Sequence, residues 1–398
     1  MNKMKWKNWD GVETVLKAGI IRQLYFENRL SCLDLSLALG KSVPVITKQV
    51  AELIQSGWLK EAGQAPSSGG RRPMLYAIQK TDSYIVAVAM TRMGVHISIL
   101  DIQNRPVVET QYFDLDLTKN EKAVPVILEK ISAVIEKSGI EREAILGVGV
   151  SMPGFIDVAK GVNYSYLEMA GNIPLRDYLS EKLQLPVYLD NDSSVLALAE
   201  LRFGAAKDRR DVMVINIGWG VGLGMIVDGK LFRGHSGFAG ELSHIPISDN
   251  DKLCTCGKRG CLEVEATLLV ATQQAIEQIR SRKIKTLKLS DNIYEMSERL
   301  MAAAENGNQD AIALFSEMGY KIGKALAILI HIQNPELIVL SGRGAAIGRL
   351  LLAPIQQALN KYCIPRLYEN TKLKVSQLGK DNALIGAGAL VMENFGNG

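Results

Sequence analysis

The sequence predicts an α/β protein of two lobes that follows an N-terminal winged helix-turn-helix domain. Two observations lead to this prediction. Two similar series of strands and helices follow one another from about residue 81, and the first 80 residues combine helix, turn and hairpin patterns with an excess of positive charge. With 398 residues and 47% apolar composition, the chain can form more than one hydrophobic core.

Two short helices are predicted near the N-terminus. Ser31 can cap a helix that ends at Gly40, and Ser42 can cap a second helix that ends at Gly57. The second helix has one apolar face, formed by Val43, Ile46, Val50, Leu53 and Ile54. Its other side offers small and polar side chains to a DNA major groove: Pro44, Thr47, Lys48 and Gln49.

A hairpin is predicted directly after these helices. WLKEA and PMLYAI have the composition of strands, and the glycine-rich connection between them carries Arg71 and Arg72 at its tip. Residues 1–80 contain twelve Lys and Arg against six Asp and Glu, a net charge of +6, whereas the whole chain has +4. A solvated basic terminus is the alternative, but the helix-turn-helix, the wing and the charge together favour DNA binding.

The pattern changes at Thr81 to strands that alternate with helices. YIVAVAM, GVHISILDI and PVVETQYF predict three strands, a helix follows at 120–139, and ILGVGVSM predicts a buried strand. A similar series begins at Asp211. The predicted domains are therefore 1–80 for DNA binding, 81–200 for the first lobe, completed by the C-terminal helix at 381–398, and 201–380 for the second lobe, with a ligand cleft between the lobes.

Three of the five cysteines lie within eight residues, in CTCGKRGC at 254–261. One imidazole and three thiolates can complete a tetrahedral zinc shell: His244, Cys254, Cys256 and Cys261. Because such a shell has no open position, it indicates one structural zinc ion per chain. Reduced cysteines without a metal are the alternative, and Cys32 and Cys363 are predicted to be ordinary buried thiols.

Several motifs together resemble the ROK family, whose name joins repressors, open reading frames and sugar kinases. They are LDND at 189–192, INIGWGVGLG, GELSH at 240–244, CTCGKRGCLE at 254–263, the SSGGRRP tip and DNALIGAGAL near the C-terminus. The similarity extends over essentially the whole chain. It implies an actin-like ATPase fold, which is ribonuclease H-like and two-lobed, behind the winged helix-turn-helix domain. It also implies assembly as a homodimer or homotetramer.

The resemblance further implies a sugar-binding site that shares a residue with the metal site. The positions that match the family's sugar contacts are Asn191, Asp192, Glu241, His244 and Glu263. In that arrangement His244 uses one ring nitrogen for the metal and presents the other to a sugar hydroxyl. Converging carboxylates suit a sugar, because hydroxyls are donors and a buried acceptor without a donor is costly.

The phosphate-binding positions differ from those of the family's kinases. Asp192 matches the general base, but Ala89 stands where the kinases have the metal-supporting aspartate of D-x-G-G-T. Thr91 and Arg92 replace its two glycines, and Trp219 replaces a small residue in the second lobe. Phosphoryl transfer depends on positioning and charge neutralisation. We therefore expect a vestigial base, no catalytic residues and no requirement for ATP or magnesium.

These patterns predict a sugar-responsive transcriptional regulator, most simply a repressor that a sugar or sugar phosphate releases from operator DNA. The chain has no signal-peptide pattern and no apolar run of membrane-spanning length, so we expect a cytoplasmic protein without a membrane partner. A ROK-type kinase with residual activity on a hexose is the alternative from the enzyme class. A zinc-stapled scaffold without either ligand is the third hypothesis.

Overall fold

The computed structural model describes residues 11–66, 72–79, 82–118, 120–167, 169 and 173–396. Its helices are α1 (Gly11–Glu27), α2 (Cys32–Leu39), α3 (Val43–Gln55), α4 (Ala123–Ser138), α5 (Leu175–Leu183), α6 (Asp192–Phe203), α7 (Leu268–Arg280), α8 (Ile293–Glu305), α9 (Gln309–Gln333), α10 (Gly348–Tyr362), α11 (Pro365–Tyr368) and α12 (Asn382–Asn394). Within the described part of the chain, none of them combines the length and the apolar composition that crossing a membrane requires.

The strands are short and fall into three larger groups along the chain. Their bounds are β1 (Leu30–Ser31), β2 (Leu59–Gln64), β3 (Met74–Ile78), β4 (Tyr84–Met90), β5 (Gly94–Asp101), β6 (Pro106–Asp114), β7 (Ile145–Met152), β8 (Ile156–Asp157), β9 (Val162–Asn163), β10 (Val187–Asn191), β11 (Val212–Ile217), β12 (Val221–Val227), β13 (Lys230–Phe232), β14 (Leu337–Ser341) and β15 (Lys372–Val375).

The N-terminal segment forms a helix-turn-helix followed by a hairpin. The α2 helix begins with a capping box, in which the Asp34 N–H donates to the Ser31 hydroxyl at 3.2 Å and the Ser31 N–H donates to the Asp34 carboxylate at 2.9 Å. It ends at Gly40, whose φ is 61°. Strands β1, β3 and β2 form an antiparallel sheet in that order. The hairpin tip at 67–71, which includes Arg71, lies outside the described residues, and Arg72 is exposed.

The buried face of α3 differs from the predicted one at two positions. Gln49 is only 4% exposed, and Val43, which the pattern assigns to the apolar face, is 38% exposed. The reason is that α1, α2 and β2 all pack against α3, so its buried arc extends to Gln49 but leaves the first turn open. The prediction that Gln49 is available to DNA is therefore wrong, whereas the other helix positions of that set are exposed: Pro44, Thr47 and Lys48.

The N-terminal segment shares a core with the end of the C-terminal helix. Trp58 is buried and its ring centroid lies 6.4 Å from that of Phe395. The Arg22 guanidinium donates to the carbonyl of Glu393 at 3.1 Å. These contacts lie within one compact unit, which comprises Met1–Gly154, Val158–Asp190 and Ala387–Gly398.

Each of the two units contains a five-stranded sheet of the same topology. The sheet of the first unit has the order β6-β5-β4-β7-β10, with β4 antiparallel to β5 and parallel to β7. The sheet of the second unit has the order β13-β12-β11-β14-β15, with β11 antiparallel to β12 and parallel to β14. If the five strands of each sheet are numbered 1 to 5 in chain order, both sheets have the order 3-2-1-4-5. The two similar series of strands and helices in the sequence therefore fold into the same sheet topology.

The boundary between the units lies ten residues before the predicted one. The second unit comprises Phe155–Asp157 and Asn191–Gly386, so it contains α6 and the first part of α12. Helix α6 packs directly on β12: a Cβ on Gly222 would lie 1.9 Å from the Ser193 hydroxyl, and a Cβ on Gly224 would lie 2.4 Å from the Ala197 Cβ. Close helix–strand packing thus requires these two glycines.

Candidate metal and ligand site

Four potential metal-ligand atoms converge in the second unit. They belong to His244, Cys254, Cys256 and Cys261 and lie within 4.8 Å of one another. The His244 Nδ1 is 3.6 Å from the Cys254 Sγ, and the Cys256 Sγ is 3.7 Å from the Cys261 Sγ. Zn–S bonds of about 2.3 Å in a tetrahedron give sulfur–sulfur edges of about 3.8 Å. The cluster therefore has the donor set and the spacing to hold a metal ion.

Tight backbone turns bring the thiols together. Gly257 has a φ of 82° and Gly260 a φ of 71°, conformations that other residues rarely adopt. The Cys254 N–H donates to the Lys258 carbonyl at 2.8 Å, which closes the turn. At Gly260 a Cβ would lie 1.9 Å from the Ser248 carbonyl oxygen, so no larger residue fits there.

The second ring nitrogen of His244 points away from the thiols. Its Nε2 lies 4.0 Å from the Glu241 carboxylate, while Nδ1 faces Cys254. A histidine that serves a metal and a ligand at the same time needs this division of its two nitrogens. The imidazole therefore joins the thiol cluster to a neighbouring group of carboxylates.

That group contains Asp192, Glu241 and Glu263. Burial raises the pKa of Glu241 to about 7, and the charges of Asp192 and Glu263 add to the effect. Glu263 is buried, and Gly220 leaves room for it, since a Cβ at Gly220 would lie 3.0 Å from its Oε2. Clustered carboxylates are stabilised by hydrogen-bond donors, which a polyhydroxylated ligand supplies in number.

Asn191 and Asp192 stand at the N-terminus of α6. The Asn191 side chain caps the helix, accepting from the N–H groups of Ser193 at 2.9 Å and Ser194 at 3.3 Å. The helix dipole favours the Asp192 carboxylate, which accepts from the Ser193 hydroxyl at 3.1 Å. That hydroxyl accepts from the Asn216 amide at 3.3 Å. Ser193 and Asn216 were not predicted, and their only sequence signal is that Ser193 directly follows LDND and Asn216 lies within INIGWGVGLG.

Phe155, which was not predicted, lies beside His244, and Phe238 packs against Phe155. The Phe155 ring centroid lies 6.4 Å from that of His244, with the ring planes 23° apart. It lies 5.6 Å from that of Phe238, at 87°. All three residues belong to the second unit. A single aromatic residue in a loop gives no sequence signal of such a role.

The turn between β4 and β5 is closed by its own groups. The Thr91 N–H donates to the Gly94 carbonyl at 2.8 Å, and the Thr91 hydroxyl accepts from the Met93 N–H at 3.2 Å. The Arg92 carbonyl accepts from the Leu117 N–H at 3.1 Å. Ala89, at the end of β4, is buried. Two backbone N–H groups of this turn are thus engaged within it.

The turn after β11 is filled by aromatic and basic side chains. Trp219 is buried, and the Arg343 guanidinium carbon lies 4.9 Å from its ring centroid and 3.8 Å from that of Tyr294. The Arg343 Nε donates to the Glu298 carboxylate at 2.9 Å, which fixes the guanidinium over both rings. A bulky, hydrogen-bonded cluster therefore occupies the surroundings of Trp219.

Comparisons with known proteins agree on one family. The family model described as the ROK family matches residues 87–394. A xylose repressor of Caldicellulosiruptor bescii is 28% identical over 391 residues, which are 96% of this chain and 97% of the repressor. A glucokinase of Halalkalibacterium halodurans is 33% identical over 253 residues, which are 63% of this chain and 77% of the kinase.

The same fold occurs in a solved structure over almost the full length. A ROK family transcriptional regulator, a homologue of the E. coli MLC protein, superimposes with a TM-score of 0.77 and covers 98% of both chains at 23% identity. This match includes the N-terminal segment as well as the two units of strands and helices. It confirms the predicted fold class.

Proposed function

Since the chain belongs to the ROK family, we propose that it is a sugar-responsive DNA-binding regulator, a repressor that a sugar or sugar phosphate releases from its operator. One observation carries the proposal: the similarity to a xylose repressor covers 96% of this chain, whereas the similarity to a glucokinase covers 63%. A regulator needs the N-terminal helix-turn-helix and hairpin, and a kinase does not.

DNA binding is assigned to α3 and the hairpin. The exposed side chains of Pro44, Thr47 and Lys48 are available to base edges and phosphates, and Arg71 and Arg72 are expected to contact the backbone of the duplex. A homodimer or homotetramer would place two such segments on inverted half-sites. Acting on operator DNA, the regulator would work in the cytoplasm.

Sugar binding is assigned to the carboxylate group beside His244. Sugar hydroxyls would donate to Asp192, Glu241 and Glu263, with Asn191 at the same helix terminus. We further infer that the thiol cluster holds zinc, because three thiolates and one imidazole form a closed structural zinc shell. The ion would supply no chemical step; it would fix the ring of His244 so that Nε2 faces the sugar.

A ligand sensor fits the site better than a kinase. At the first turn the N–H groups of Thr91 and Met93 are hydrogen-bonded within the turn, and at the second Trp219 and Arg343 fill the surroundings. Ala89 offers no carboxylate to support magnesium. The second candidate is a ROK sugar kinase, favoured by Asp192 at the general-base position and by the 33% identity to a glucokinase.

A thermal-shift screen of the zinc-loaded full-length protein tests the proposal. Sugars, amino sugars and their phosphates are added without nucleotide, and we expect at least one of them to raise the melting temperature by mass action. Sugar-dependent ATP consumption at about 1 to 100 per second would instead support the kinase. A protein that no sugar stabilises would leave only the zinc-stapled scaffold.

A further inference from the structure

Phe155 presents an aromatic surface beside the proposed sugar site. It is 37% exposed, although the next residue, Ile156, is buried in the same unit. Its ring is held from two sides, edge-on by Phe238 at 5.6 Å and nearly parallel to His244 at 6.4 Å. Ligand pockets combine apolar and aromatic side chains with a few convergent polar groups, and Phe155 beside His244 and the carboxylates provides this combination.

A sugar ring has two kinds of surface, and the polar residues match only one of them. The hydroxyls around the rim can donate to Asp192, Glu241 and Glu263. The C–H groups on the face of the ring make no such hydrogen bonds, and their burial needs an apolar partner. The face of an aromatic ring is that partner, because it removes the C–H groups from water and its negative quadrupole attracts their positive hydrogens.

Building on the proposed sugar-binding function, we propose that Phe155 is a specificity-determining residue that packs against the C–H face of the effector sugar. The imidazole of His244 links the two surfaces, since its Nε2 faces Glu241 and its ring plane lies within 23° of that of Phe155. The effector class is therefore a cyclic sugar, or its phosphate, that shows a C–H face to Phe155 and hydroxyls to the carboxylates.

A purely structural role for Phe155 makes a different prediction. If the ring only supports His244 at the metal, its removal should lower zinc content and sugar affinity together. If the ring contacts the sugar, its removal should lower sugar affinity while one equivalent of zinc stays bound. Zinc content and sugar affinity, measured on the same sample, therefore separate the two roles.

The test uses the full-length, zinc-loaded Phe155→Ala variant in calorimetric titrations with D-xylose, D-glucose and N-acetyl-D-glucosamine. We expect the sugar that binds the wild type to bind the variant about 10-fold more weakly. Zinc content and DNA affinity without sugar should be unchanged. Phe155→Trp, which keeps an aromatic face, should remain within about threefold of the wild type. Phe232→Ala is the matched control, because Phe232 is a 45% exposed phenylalanine on β13 of the same unit.

Wild-type affinity in Phe155→Ala would overturn the inference, and so would a joint loss of zinc and sugar. If the alanine variant lacks a melting transition, Phe155→Leu replaces it. We expect Phe155→Leu to bind the sugar more weakly than Phe155→Trp does, and equal affinities of the two variants would contradict the inference. A wild-type protein that no sugar, amino sugar or sugar phosphate of the thermal-shift screen stabilises refutes the proposed function, and this inference with it. If the wild type binds a sugar and Phe155→Ala binds it with the same affinity, only this inference is refuted.

Discussion

The group of residues around His244 and the two turns that contain Thr91 and Trp219 differ in how closely they match the ROK motifs. Around His244 the metal-ligand atoms lie within 4.8 Å of one another, and burial and like charges couple Glu241 to two further carboxylates. At the turns, Thr91 and Trp219 stand where phosphate-binding glycines and a small residue are expected. Recognition of hydroxyls requires only acceptors in one place, whereas phosphoryl transfer also requires amide donors and a metal-supporting carboxylate. The proposed function as a sugar sensor therefore requires less of the site than phosphoryl transfer does.

Two glycines of β12 are explained by the packing of α6 against this strand. Gly222 and Gly224 belong to a glycine-rich stretch that resembles a nucleotide-binding segment. In the structure both are required by the close approach of α6, whose Ser193 and Ala197 side chains would collide with any Cβ there. Their presence therefore follows from helix–strand packing and does not by itself indicate nucleotide binding.

The largest effect is expected from removal of one thiol. Cys256→Ser should lose its metal, because a hydroxyl is a poor substitute for a thiolate on zinc. Sugar affinity should also fall, by about 10- to 100-fold, because His244 loses the ion that orients it. Elemental analysis and sugar titration measure the two effects. Cys32→Ser, outside the cluster, is the control, and a full equivalent of zinc in Cys256→Ser would reject the ligand assignment.

A smaller effect, on stability, is expected from removal of the ion pair between Glu265 and Lys321. The buried Glu265 carboxylate lies 3.0 Å from the Lys321 ammonium and 3.6 Å from that of Lys252, and it accepts from Asn250. Lys321→Met should lower the free energy of unfolding by about 1 to 3 kcal/mol, because a buried acceptor loses a donor. Denaturant titration measures the loss, and the exposed Lys230→Met is the control.

The stability difference between Lys321→Met and the wild type should decrease as the pH falls. Burial acts to raise the pKa of Glu265, but the hydrogen bonds from Asn250 and Lys321 and the nearby charges outweigh it, and the pKa is lowered. The stabilisation is therefore present above the unfolded glutamate pKa of about 4.3 and is lost as the pH falls through the lower folded-state value. The difference between Lys321→Met and the wild type should be full at pH 7 and shrink below about pH 4. A difference that grows in acid would contradict this role for Glu265.

No ATP turnover is expected from placing an aspartate at position 89. Ala89→Asp returns one carboxylate, but Thr91 still closes the first turn and Trp219 still packs under Arg343. Sugar-dependent ATP turnover should stay at background in a coupled assay, with the wild type as the matched control. Turnover that appears with this single change would mean that the turns are compatible with phosphoryl transfer.

The cluster of His244, Cys254, Cys256 and Cys261 could be predicted from sequence because metal binding requires particular residue types at particular spacings. Three cysteines and a histidine at close spacing have few uses in one chain, and Gly257 and Gly260 mark the turns between them. By contrast, Phe155 could not be found, since its position beside His244 depends on how distant segments meet. Ser193 and Asn216 were missed for the same reason, although Ser193 directly follows one recognised motif and Asn216 lies inside another.

The N-terminal segment shows a second limit of sequence patterns. Helix α1 was not predicted, because it is buried on several sides and has no one-sided apolar stripe: its buried residues include Ile20, Ile21, Leu24, Tyr25 and Phe26. On α3 the pattern predicted the helix, but the Ser42 side chain makes no capping hydrogen bond. Packing from α1, α2 and β2 decided that Gln49 is buried. Periodicity thus locates a helix more securely than it assigns each side chain.

The most direct test of the account measures operator affinity as the effector sugar is added, without nucleotide. The sugar identified by the thermal-shift screen should weaken DNA binding about 5- to 150-fold, which corresponds to a coupling of about 1 to 3 kcal/mol. Asp192→Asn should keep DNA affinity but lose most of this response, because an ionised acceptor is replaced by an amide. Addition of ATP and magnesium should change neither result. An operator complex that saturating sugar leaves untouched, or that responds only when ATP is present, would contradict the account.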